Sequence, residues 1–151
     1  MKKMFLLLLL FASSCSLNSD QEAALNNAVN AYTQARNNGQ VMTYVAFTYP
    51  NVVAYYKNLG DSSFVERFGG SEDLDSYSFI QDGNIRKIEN SGSKIHVKYS
   101  FLELDDIFYG AQGSEIIIYA ISEDEGQNWF FIDEEDYLNA SILKENERLI
   151  K

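Results

Sequence analysis

The chain has 151 residues, with 22 Asp and Glu against 12 Lys and Arg, a formal net charge of −10 and a pI near 4.4. One domain is expected at this length, burying roughly 70% of the surface its unfolded chain exposes, and 46% hydrophobic with 23% charged residues excludes global disorder. The acidic balance argues against nucleic-acid binding, which needs a basic face to meet phosphates. A single Cys, Cys15, excludes an internal disulfide or a multi-Cys zinc site, and a single His, His96, excludes two-His zinc motifs.

Residues 1–15 read MKKMFLLLLLFASSC. Lys2 and Lys3 make a positive start, and residues 4–12 form an apolar run of nine. A spanning helix needs about 20 such residues, so the run fits the core of a signal peptide. Ala12-Ser13-Ser14 then leads into the single Cys. The segment resembles the lipobox of bacterial lipoproteins, with Ala12 where that family usually has Leu. The resemblance implies a signal peptide over residues 1–14, a lipidated tether over 15–21 with Cys15 carrying the lipid, and one domain over 22–151. It also implies attachment to a membrane of the cell envelope, outside the cytoplasm. Ser16 after the Cys favours the outer membrane by the sorting rule of enteric bacteria. Cleavage would leave 137 residues with 10 basic and 22 acidic side chains, a net −12. Each buried acyl methylene adds about 0.8 kcal/mol, so two or three chains would anchor stably. The alternative is an ordinary secretory signal with an incidental Cys.

Beyond the tether, Leu25, Ala28, Val29, Tyr32 and Ala35 fall on one helical stripe. Ser19 or Asp20 is expected to cap it, and Gly39 to stop it. A second helix is expected over 41–48 and a third over 50–58, with Pro50 in its first turn and Leu59-Gly60 as its end. Residues 61–76 read as a loop with one helical turn at 64–68. The period then changes to two. A strand over 77–81 ends at Asp82-Gly83, a hairpin dipeptide, and 84–90 is the return strand. Ser91-Gly92 makes a second turn. In the strand over 93–104, Ile95, Val97, Tyr99 and Phe101 share one face, leaving His96, Lys98 and Ser100 on the other, where His96 is expected to be exposed. After a turn region over 105–113, the continuous apolar run of the strand over 114–122 predicts burial on both faces. Residues 129–133 pair back with it. A helix over 134–150, capped by Asp133, presents Leu138, Ile142, Leu149 and Ile150. The order gives an α+β fold, with N-terminal helices packed on a curved antiparallel sheet and a C-terminal helix.

Ser122, Asp124, Gly126 and Trp129 match S-x-D-x-G-x-x-W. The segment resembles the Asp box of sialidase-type propellers, where it folds a hairpin turn. One box and few strands exclude a propeller, so these four residues read as a structural staple. The box sits in a wider pattern: Phe47-Thr48-Tyr49-Pro50 with Val52-Val53, then Phe68-Gly69-Gly70, then Ala120-Ile121-Ser122 through Trp129-Phe130-Phe131-Ile132-Asp133. Together these segments, spanning residues 23–143, resemble a group of small exported bacterial proteins in the nuclear transport factor 2-like, cystatin-like superfamily. That resemblance implies a cone of helices inside a bent sheet, often with a pocket and often a homodimer, and no assigned activity.

The chain carries 10 Tyr, 10 Phe and one Trp. Tyr44, Phe47, Tyr49, Tyr99, Phe101, Tyr119, Trp129 and Phe131 fall where they could line such a pocket or simply pack as core. No catalytic constellation, cofactor motif or metal-ligand spacing is present. The acidic runs, including Glu72-Asp73-Asp75, match no EF-hand loop and read as solvated faces and helix caps. The function read from sequence is therefore a non-enzymatic domain on a lipid anchor, binding a small, partly apolar ligand or a protein partner. The alternatives are an isomerase- or cyclase-like enzyme moving a proton inside the cone, and a pure protein-interaction module.

Overall fold

A computed structural model describes residues 16–69, 79–80, 83–104 and 113–151. The leader with Cys15, the acidic run at 72–75, Asp82 and the turn at 105–112 lie outside the described residues. Four helices come first: α1 (Ser19–Asn37), α2 (Val41–Phe47), α3 (Pro50–Leu59) and α4 (Asp61–Phe68). Strands β1 (Phe79–Ile80), β2 (Asn84–Ser91), β3 (Lys94–Leu104), β4 (Gly113–Ser122) and β5 (Phe130–Asp133) follow, and a short helix α5 (Glu134–Leu138) comes next. The fold is α+β with an antiparallel sheet.

Helix α1 begins inside the stretch expected to be tether. Asn18, not Ser19 or Asp20, is its cap. The Asn18 side chain accepts from the Asp20 and Gln21 N–H groups, and the Gln21 side chain accepts in return from the Asn18 N–H. This reciprocal box satisfies donors that Ser19 and Asp20, already within the first turn, cannot. Leu25, Val29, Tyr32 and Ala35 are buried along the expected stripe. Gly39, at φ +62°, lets the Gln40 N–H reach back to the Ala35 carbonyl and close the helix. Helix α4 is a full eight residues rather than a loop with one turn. Gly60, at φ +114°, turns the chain directly into it, and Phe64 packs against Phe68 one turn later, with ring centroids 4.8 Å apart.

The expected hairpin at Asp82-Gly83 does not form. Phe79 and Ile80 pair with Leu104 and Glu103, and Asn84 and Ile85 continue with Ser100 and Tyr99. Because β4 fills the opposite edge of β3 along its whole length, β1 and β2 run along the same edge as one interrupted strand. Gly83 serves close approach instead of reversal: a Cβ there would collide with the Tyr99 ring. The second expected turn, at Ser91-Gly92, does form, centred on Gly92-Ser93, with Ser91 opposite Lys94 and Gly92 at φ +64°. The sheet is thus an antiparallel meander, β1/β2–β3–β4–β5.

Register assigns the two faces. Val97, Ala120 and Phe131 lie opposite one another across the sheet, and so do Lys98, Tyr119 and Ile132. The first face meets the helices, where Tyr32 packs on Phe131 with centroids 4.7 Å apart. The second face lies under the C-terminal segment. That segment is not the expected helix over 134–150. It is α5, a turn, and a single 3₁₀ turn at Glu145–Glu147. Its buried residues Tyr137, Ile142, Leu143 and Ile150 do not keep a helical period, because the chain must spread flat across strands. Asp133 occupies the cap position of α5 but makes no cap bond, since its carboxylate pairs with Arg67 at 2.8 Å.

His96 also departs from expectation. It is 1% exposed, not a surface histidine. Its Nδ1 lies 2.9 Å from the Tyr137 hydroxyl, and the Ile150 N–H donates to that hydroxyl at 3.2 Å. Parity places His96 away from the helices, as read, but the C-terminal segment covers that face too. Burial pulls its pKa down to about 4.

Candidate functional site

Of the eight aromatics expected to line a pocket, Tyr44, Tyr49, Tyr99, Phe101, Trp129 and Phe131 are buried within the hydrophobic core, and Phe47 is half-buried against it. Tyr44, Tyr32 and Phe131 form a continuous row of tilted ring contacts. Tyr119 is separated from this group by the sheet. It stacks face to face on Tyr137, 3.8 Å between centroids and 4° between planes.

A cluster that the sequence reading did not single out joins α4 to the C-terminal segment. The Arg67 guanidinium pairs with Asp133 and Asp136 at 2.8 and 3.2 Å and donates to the Tyr44 hydroxyl at 2.6 Å. It also lies 5.2 Å from the Phe68 ring centroid. Burial would lower its pKa, but Asp133 and Tyr44 outweigh that and raise it. Tyr56 donates to Asp136 at 3.1 Å. Burial and this carboxylate raise the Tyr56 pKa. Every charge here has a partner, so the cluster is a clamp between helices and strands. No spacing rule links Arg67 to carboxylates 66 and 69 residues away.

The hairpin between β4 and β5 is built by Ser122 and Asp124. The Ser122 hydroxyl donates to the Asp124 carboxylate at 2.8 Å and accepts from the Gly126 N–H at 2.8 Å. Asp124 also accepts from the Asn128 backbone and side chain at 2.9 and 2.6 Å, which lowers its pKa. Gly126 has φ +85°, and a Cβ on it would meet the Gln21 side chain at 2.7 Å. Trp129 is 3% exposed, with its Nε1 buried and unpartnered.

An open concavity among the described residues lies elsewhere, at the β5 edge. The Tyr49 N–H donates to the Phe131 carbonyl at 2.8 Å, and Thr48 bridges Phe131, which closes part of that edge. Burial and Glu123 push the Tyr49 hydroxyl up to about 12. Beside this junction, α2 and α3 form a groove of about 360 Å³. Val45 and Ala46 line one wall, Pro50, Val53, Ala54 and Lys57 the other, with Thr48 and Phe130 between. The α3 residues follow i, i+3, i+4, i+7, a complete helical stripe. It faces the groove, while Val52 is the one residue of α3 fully buried in the core. Met42, one turn before Val45 and Ala46 on α2, is 82% exposed. The groove was not foreseen. Its signal was present in Pro50, Val53, Ala54 and Lys57, whose period could equally have served the core.

Scans against protein-family models, curated proteins and solved structures each found no match to this chain. Among the described residues, no helix is long and apolar enough to cross a membrane.

Proposed function

We propose that this chain is a lipid-anchored protein of the cell envelope whose domain, a cone of the nuclear transport factor 2-like kind, binds a small, partly apolar ligand or protein partner without catalysing a reaction. The α2–α3 groove is its binding surface. The observation that carries this reading is the α3 stripe, whose exposed Pro50 and Ala54 and half-buried Val53 border an open trough. The side chains also favour binding over proton transfer. Lys57 is the ionisable residue in the groove lining, and the single imidazole, His96, is held neutral by its burial beneath the C-terminal segment, away from the groove.

A photoreactive side chain at Ala54 in cells tests the groove. Capture there, exceeding that from the same group at exposed Asn26 on α1, is the expected result. Equal, background capture at both positions refutes the reading. The anchor has its own test. Cys15→Ser should remove an acyl-dependent mass increase and release the protein from membranes, and an unchanged mass would refute lipidation.

A further inference from the structure

Resting on that reading of the groove, we propose that its ligand is the anion of a medium-chain fatty acid, with the alkyl chain along the trough and the carboxylate on Lys57. The size of the groove sets the scale. At about 30 Å³ per non-hydrogen atom, the share of one water in the liquid, its volume of about 360 Å³ holds about a dozen atoms, a ten-carbon chain with a head group. The walls fit a chain better than a ring-rich or polar ligand. Ala46, Pro50 and Ala54 are small, Val45 and Val53 are purely apolar, and the Thr48 hydroxyl already donates to the Tyr44 carbonyl at 2.8 Å.

The head group follows from charge. No carboxylate lines the groove, although the chain as a whole carries −10. Among the described residues Arg67, Arg86, Lys87, Lys94 and Lys98 are each ion-paired. Lys57, like Lys144 and Arg148, is in no ion pair there, and of these it alone lines the groove. It closes the apolar stripe of α3 and stands 5.7 Å from the Phe64 ring centroid. An unpaired ammonium at the end of an apolar trough complements an amphiphile with one negative end.

Membranes containing the full chain, photolabelled with a diazirine analogue of decanoate, test this. Label should map to the peptide spanning residues 45–57. Unlabelled competitors should gain about three- to fourfold per added methylene and level off near ten carbons. Decanoate should outcompete decanol severalfold, the size of an exposed ion pair. Lys57→Gln should erase that advantage and leave the chain-length series intact. Equal competition by decanol on the unaltered protein, a series without a plateau, or label mapping elsewhere overturns the proposal. If the photoreactive group at Ala54 captures a protein and decanoate does not displace it, the fatty-acid proposal fails and the groove reading stands. If neither probe marks the groove, both fail.

Discussion

Helices α1 and α3 carry the same kind of apolar stripe and use it in opposite ways. In α1, Leu25, Val29, Tyr32 and Ala35 all enter the core, and Tyr32 packs between the Tyr44 and Phe131 rings. In α3, Pro50, Val53, Ala54 and Lys57 face a trough, and Val52 supplies the deep contact. An apolar stripe therefore shows that a helix has something to cover, without showing whether that is the protein's own core or a ligand. The difference lies in burial: the α1 stripe is buried along its length, whereas Pro50, Ala54 and Lys57 of the α3 stripe stay exposed.

Substitutions can break or sharpen this contrast. Tyr32→Ala should cost about 3–5 kcal/mol in urea unfolding, as for other large aromatics removed from a core, and it also removes the bond to Asp133 at 3.3 Å. Arg67→Met should cost about 3 kcal/mol, because it leaves Asp136, whose side chain is 6% exposed, without its cation; circular dichroism melts would check it.

Acid should act on the far face of the sheet. His96 holds its proton less tightly when folded, at about 4, than the 6.5 of an unfolded histidine. Its neutral form thus favours the fold in full above about pH 6.5, and this contribution is lost as pH falls towards about 4. The loss amounts to up to about 3 kcal/mol. Carboxylates titrate nearby in pH, so the check is His96→Phe, which should flatten the stability–pH slope in that window by up to one proton. The smallest effect belongs to the groove: Ala54→Gln should change stability by no more than about 0.5 kcal/mol. If it matched Tyr32→Ala in the same urea series, α3 would be a core helix and the contrast would be void.

Periodicity made much of this fold legible. The α1 stripe, the Pro50 start of α3, the alternation of β3 and the doubly buried run of β4 are all local patterns, and local patterns survive in sequence. What failed depended on distant partners. Asp82-Gly83 has the chemistry of a reversal, but the chain continues along β3 and Gly83 yields its space to Tyr99. The C-terminal stretch has apolar residues enough for a helix, yet lies as turns because the face it covers is a sheet. His96 had the right parity but a cover that parity cannot reveal. The Arg67 clamp and the groove were the least visible, since each joins residues from separate elements.

The capping box of α1 has a mechanical consequence for the proposed anchor. Asn18 caps α1, and Gln21, which completes that cap, also donates to the Glu125 carbonyl at 2.7 Å in the β4–β5 hairpin. The Glu125 N–H is bonded in turn to Ser93 in the β2–β3 turn. Three residue steps separate Cys15 from Asn18, a leash of at most about 10 Å. An acyl group on Cys15 would therefore hold these two hairpin turns close above the lipid head groups, fixing which end of the domain meets the bilayer and limiting how far it can swing.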